Sequence, residues 1–172
     1  VVTGDPLTRV DRLVSLWFEA HNTPGLTRAV GLLTQLGGWR VVAALSVAAG
    51  TYFVWRGLRD WLTGLVLVVP GGALLNVVLK HAFHRARPQW EHPLVVLTSF
   101  SFPSGHAMSA TTLYGFLAVW LVVTLDSWRR RVAVAVSASA LILVIAMSRV
   151  YLGAHYLSDV LAGISAGLVW LA

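Results

Sequence analysis

Two stretches of the chain, residues 61–79 and 107–125, run for nineteen residues each without a charged side chain. A helix rises about 1.5 Å per residue, so either stretch is long enough to cross the roughly 30 Å hydrocarbon core of a bilayer. The composition agrees: 57% of the 172 residues are hydrophobic and 12% are charged, where a soluble domain carries about 25% charge. This excludes a disordered tail and argues against a soluble globular enzyme. A chain of this length suggests one domain, and four or five spans of about 20 residues would use most of it.

Further spans follow from the same reading. Between residues 29 and 55 the only charge is Arg40; residues 41–55 extend back through Trp39 to make a span, with Arg40 snorkelling at its end. Residues 132–148 form another, and a last one begins near Val160 and is cut by the C-terminus. That makes five, of which four are complete. Pro70, Gly71 and Gly72 predict a kink in the 61–79 span. Residues 7–20 place Leu7, Val10, Val14, Trp17 and Phe18 on one helical stripe, with Arg9, Arg12 and Glu19 elsewhere, as in an amphipathic helix lying in the interface. Asn22 to Gly25 break it. Trp39, Trp55, Trp61 and Trp128 fall at span ends, as aromatic belts do. The expected fold is an all-α polytopic transmembrane bundle forming one domain over residues 1–172, with an interfacial segment at 1–25 and the bundle at 26–172. Position 1 is Val rather than Met and Ala172 lies inside an apolar run, so a longer parent chain is expected.

The formal charge of +6 invites a nucleic-acid partner, but the basic residues sit in short clusters between apolar runs, which suits lipid headgroups or a phosphorylated ligand better. Cysteine is absent, which removes disulfides, thiolate metal sites and a Cys nucleophile. Counting spans puts 56–60 and 126–131 on one side of the membrane and 80–103 and 149–159 on the other. With the phosphate-binding candidates set aside, the Arg129 to Arg131 side is the better cytoplasmic one, and the expected location is a cell inner membrane with the other end on its outer or periplasmic face.

Three polar blocks therefore converge on one face. In the first, Lys80, His84 and Arg87 are spaced to share a helical face, so that two cations project into one pocket; the block alone also reads as a basic juxtamembrane loop on lipid phosphates. The chain uses Arg twelve times and Lys once, and that Lys is here. In the second, Pro103-Ser104-Gly105-His106 opens a span. A helix N-terminus offers unpaired N–H groups, Gly105 lets an anion approach the backbone and Ser104 adds a hydroxyl. A simple Ser104 cap is the alternative, though a cap needs no His106. In the third, His155 and Asp159 are four apart, so on a helix the carboxylate can accept the imidazole Nδ1–H and leave Nε2 as a lone-pair base or nucleophile. Arg149 adds a fork suited to phosphate oxygens; a structural ion pair at the surface is the alternative. No Asp/Glu cluster or His pair has metal-ligand spacing. Oxyanion donors, a nucleophile and a general acid are the parts of a metal-free phosphoryl-transfer site.

Lys80-x6-Arg87-Pro88, Pro103-Ser104-Gly105-His106 and Ser148-Arg149-x5-His155-x3-Asp159 resemble the three-part signature of the type 2 phosphatidic acid phosphatase family, which also includes vanadium haloperoxidases. Every fixed residue of the pattern is present and in order. The resemblance implies a bundle of six spans, the first lying upstream of Val1. It implies that Lys80, Arg87, Ser104, Gly105 and Arg149 bind the substrate phosphate, that His155 attacks phosphorus to give a phosphohistidine, that Asp159 orients it and that His106 protonates the leaving oxygen. It implies no metal or organic cofactor, and a lipid phosphate or pyrophosphate substrate of the phosphatidic acid, phosphatidylglycerol phosphate or undecaprenyl pyrophosphate class. His81, His84, Arg85, Trp90 and His92 lie in the loop expected to face the headgroup, as selectivity residues or as ordinary loop. A non-catalytic lipid-phosphate-binding or transport protein is the competing class, and a vanadate-dependent haloperoxidase fits the hydropathy less well.

Overall fold

Inside lipid a backbone must bond to itself, and helices do so segment by segment. The computed structural model describes residues 6–91, 93–95 and 97–172, and these form α1 (Pro6–His21), α2 (Pro24–Leu33), a 3₁₀ turn (Thr34–Gly37), α3 (Trp39–Trp55), α4 (Arg59–Phe83), α5 (Gly105–Thr124), α6 (Trp128–Tyr151) and α7 (Leu157–Leu171), with no strand among the described residues. His92 and residues 1–5 of the 1–25 segment lie outside them. Each apolar run of the sequence is a helix. α4, α5 and α6 are long and apolar enough to cross a membrane on their own, with mean hydropathies of 2.1, 1.6 and 2.1. α2 and its 3₁₀ turn join α3 at a 44° bend to make a fourth candidate span, and α7 is apolar but only 15 residues long. α4 continues through Pro70 without a break.

α5 sits at the centre, against α3, α4, α6 and α7. Its sequence is apolar all round, as a helix surrounded by others must be. On one side Leu113 and Phe116 of α5 meet Val42 and Phe53 of α3 and Leu65 and Val69 of α4. On the other, Ala107 meets Ala146 and Val150 of α6 and Val160 of α7. Lipid gives little hydrophobic drive for helices to associate, so close approach through small residues matters more. α7 supplies it with Gly163 and Gly167: a Cβ on Gly163 would lie 2.7 Å from the Ser104 carbonyl oxygen, and one on Gly167 would lie 2.8 Å from the Thr111 Cβ. A larger residue at Gly163 would overpack this seam at a cost of about 1–3 kcal/mol. The seam brings the start of α7 against the start of α5, where the polar blocks lie.

Trp39, Trp55 and Trp128 stand at helix ends with their side chains exposed, as belt residues do. Trp61 differs from the expectation, for it packs inward on Phe116, ring centroids 5.8 Å apart. α1 is the expected amphipathic helix, but its polar stripe is the buried one. Asp11 and Ser15 are buried, whereas Leu7, Val10, Leu13, Leu16 and Trp17 are exposed. Val14 and Phe18 pack against the α5–α6–α7 cluster.

Candidate active site

α4 ends at Phe83 because His84 enters the left-handed region, φ 47°, and gives its N–H to the Lys80 carbonyl at 3.1 Å. Lys80, His84 and Arg87 therefore do not share a helical face. Residues 84–90 are irregular, and the returning chain at 99–101 gathers the cations instead. Lys80 Nζ donates to the Phe100 carbonyl at 2.5 Å, and Arg87 Nη2 to the same oxygen at 3.2 Å. Arg87 also donates to the Ser99 carbonyl at 2.7 Å and the Ala154 carbonyl at 2.6 Å. The two cations meet as the sequence suggested, by a different route. His84 stacks edge-on against Phe100 and His81 bonds back to the Val77 carbonyl.

The second block opens α5 and takes the form of the alternative reading there, a helix cap. Ser104 is the N-cap of α5 and its Oγ accepts the Ala107 N–H at 3.5 Å. Its own N–H donates to the Asp159 carbonyl at 2.9 Å, tying α5 to α7. Gly105 sits against Asn76, whose Oδ1 would be 3.2 Å from an added Cβ, and Asn76 Nδ2 donates to the Pro103 carbonyl at 3.4 Å. His106 lies over the Gly37–Gly38 turn, where a Cβ on Gly38 would be 3.6 Å from its Nε2, within the electrostatic reach of Arg149, His155, Arg87 and Lys80.

In the third block Arg149 is only 4% exposed. Its Nη1 donates to Thr34 Oγ1 at 3.1 Å, while its buried Nε has no protein partner among the described residues. His155 precedes α7 rather than lying on it, so the expected helical i, i+4 pair is not what joins it to Asp159. The carboxylate, on the third residue of α7, folds back to accept the Tyr156 N–H at 2.9 Å. This leaves Oδ2 at 3.6 Å from His155 Nδ1, beyond a normal hydrogen bond. Ser101 stands between them: its hydroxyl donates to Asp159 Oδ2 and lies 3.5 Å from His155 Nδ1.

At the other ring nitrogen, Arg87 Nη1 lies 3.2 Å from His155 Nε2. A guanidinium only donates, so Nε2 must hold the lone pair and Nδ1 the proton. Burial pushes His155 down to about 4; the Asp159 carboxylate opposes the shift, and Arg87 and Arg149 add to it. The imidazole is neutral at physiological pH. Burial acts in the same direction on Arg87, which remains a cation in any accessible range.

The sequence reading missed Ser101, Thr34 and Asn76, and it placed Arg85 in a headgroup-facing loop. Arg85 instead turns inward, donating to Asp159 Oδ1 at 2.5 Å and to Asp11 Oδ2 at 2.7 Å. Trp90 is also buried, its Nε1 donating to Ser15 Oγ at 2.9 Å. Ser101 had a local signal, three residues ahead of Ser104. The partners of Arg85, 74 residues away on either side, had none.

A helical membrane bundle that gathers cations, imidazoles and a helix N-terminus at one end has the parts of an enzyme working on phosphate groups at a bilayer. The chain belongs to the PAP2 superfamily, whose family model matches residues 61–172, and it stands on the membrane-bound lipid phosphatase branch. It is 38% identical over 148 residues to phosphatidylglycerophosphatase B of Bacillus subtilis, covering 85% of this chain and 72% of that protein. The crystal structure of a transmembrane PAP2 type phosphatidylglycerolphosphate phosphatase from Bacillus subtilis superposes with a TM-score of 0.89 at 34% identity, over 99% of this chain and 85% of that one. Lipid A 1-phosphatase of Rhizobium etli is 38% identical over 133 residues, 72% of this chain and 51% of that protein. With its apolar helices, these relatives make the protein a multi-pass integral membrane protein.

Proposed function

We propose that the protein hydrolyses lipid phosphates without a metal, through a phosphohistidine on His155. The observation that carries this is the pair of contacts on that imidazole. Arg87 at Nε2 fixes the lone pair on the side facing the cations, and Asp159 with Ser101 takes the protonated Nδ1 side. Lys80, Arg87, Arg149, Ser104 and the Gly105 amide hold the phosphate oxygens, and the unpartnered Arg149 Nε supports a place for one of them. In the first step Nε2 forms a bond to phosphorus as the bond to the lipid oxygen breaks, and His106 gives its proton to that oxygen. In the second, water attacks phosphorus, His106 takes back a proton, and the N–P bond breaks to release inorganic phosphate. Asp159 steadies the imidazolium between the two steps.

The relatives' names point to phosphatidylglycerophosphate and lipid A as substrates of those proteins. For this chain the reading is a lipid monophosphate or pyrophosphate whose headgroup enters at the interface while its tails stay in lipid. The same reading has the site facing the outer or periplasmic side of the inner membrane. Support comes from the opposite end, where Arg56, Arg59 and Arg129 to Arg131 gather in the pattern of a cytoplasmic face.

The test is phosphate release from phosphatidic acid, phosphatidylglycerol phosphate and undecaprenyl pyrophosphate by detergent-purified protein with EDTA present. Release should survive EDTA and fall by about 10³-fold or more in His155→Ala. Phosphate or vanadate binding without release from any lipid would favour a binding protein instead.

A further inference from the structure

Asp11, Ser15 and Glu19 lie four residues apart on one stripe of α1, and each bonds to the segment that carries Arg87. Asp11 Oδ2 accepts from Arg85 Nη2 at 2.7 Å, Ser15 Oγ from Trp90 Nε1 at 2.9 Å, and Glu19 Oε1 from the Glu91 N–H at 2.9 Å. Asp11, 2% exposed, also caps α7: its Oδ1 accepts the Ser158 N–H at 2.8 Å and its Oδ2 the Ser158 hydroxyl. Arg85 is the link inward, with Nη1 on Asp159 Oδ1 at 2.5 Å and on Ser158 Oγ at 2.7 Å, and its guanidinium 4.5 Å over the Tyr156 ring. A carboxylate on α1, a guanidinium and the carboxylate behind His155 thus form one closed chain.

We propose that Asp11 and Arg85 are positioning residues, through which α1 fixes the orientation and effective charge of Asp159 behind the His155 nucleophile. Neither lies where the phosphate is held in the reading above, on which this inference rests. Arg85 occupies Oδ1 of Asp159 and leaves Oδ2 to Ser101, the Tyr156 amide and the imidazole. Asp11 in turn draws the Arg85 charge toward itself, so that Asp159 keeps enough negative charge to steady an imidazolium. The other charged groups around His155 and Asp159 are Arg87 on the same segment as Arg85, Lys80 from α4, His106 from α5 and Arg149 from α6, with Arg12 of α1 near Tyr156. None of them touches the Asp11–Arg85 contact.

The two variants should act with opposite signs. Arg85→Gln removes a positive charge and should move the acid limb of the kcat/KM profile upward by about half a pH unit or more, and Asp11→Asn should move it downward. In the Arg85→Gln background the Asp11→Asn shift should disappear, because Asp11 acts through Arg85. Both should lower kcat by about 10- to 100-fold while KM changes little, as for a displaced nucleophile. Ser15→Ala loosens the same helix away from Asp159 and should leave the pH profile in place. Where Arg85→Gln fails to fold, Arg85→Lys serves, since an ammonium cannot bridge both carboxylates; it should shift the limb upward by less. Shifts of the same sign, an Asp11→Asn shift that persists without Arg85, or an unmoved profile in folded variants would overturn the inference. A parent protein that releases no phosphate in EDTA, or a fully active His155→Ala, would instead overturn the phosphatase reading.

Discussion

The two ends of the bundle use the same residue types for opposite purposes. At one end Arg56, Arg59, Arg129 and Arg130 are exposed, and Arg56 rests on the rings of Tyr52 and Trp55. At the other, Arg149 and Asp159 are 4% and 0% exposed, and their neighbours are imidazoles, hydroxyls and further cations. An exposed arginine at a membrane surface is solvated by water and headgroups and contributes little to the fold. A buried one must be matched by ligand or protein, because an unpaired buried charge is costly. Burial, more than composition, separates a solvated basic surface from a cluster of charges that needs partners.

The contrast can be tested by removing charge at each end, beyond the loss already expected for His155→Ala. Arg149→Met should lower kcat/KM for a lipid phosphate by about 10²–10³-fold, as for loss of a buried oxyanion donor; a loss below about threefold would erase the distinction between the ends. His106→Ala should cost about 10²–10⁴-fold on an alkyl phosphate, where a general acid is needed, and much less on an activated aryl phosphate. Equal losses on both substrates would remove His106 as the acid. On acidification the buried site should be the weak end. The folded His155 binds its proton only near pH 4 while the unfolded chain binds one near 6.5, so the unfolded state holds more protons between these values and stability should fall as pH drops through that window. Thermal unfolding against pH checks this, and His155→Gln should flatten the slope. Arg129→Gln with Arg130→Gln should change activity by less than about twofold and stability by about 0.5 kcal/mol or less.

Much of this architecture was legible in the sequence because lipid is an exacting solvent. Uncharged runs such as 107–125 have few alternatives to a helix, and the three polar blocks fall between them at one end. The helix cap at Ser104 and the close approach at Gly105 are local chemistry and could be read directly. What could not be read depends on distance along the chain. Arg85 looks like a loop cation until α1 brings Asp11 to it across 74 residues, and Thr34 gives no hint that it meets Arg149 across 115. The expected helical faces of Lys80 with Arg87 and of His155 with Asp159 failed for a related reason. In both places a helix terminus intervenes, the left-handed His84 in one and the start of α7 in the other, and residues meet by loop closure rather than by helical spacing.

In the resting protein Arg87 is engaged by the carbonyls of Ser99, Phe100 and Ala154 as well as by the His155 lone pair. Any incoming group must win the guanidinium from these oxygens before the imidazole is free to react. A terminal phosphate, with two negative charges, competes strongly for it; the phosphodiester of an ordinary membrane lipid brings one charge and two esterified oxygens. Under the phosphohistidine mechanism proposed above, these contacts set a charge threshold that a terminal phosphate passes and a phosphodiester does not.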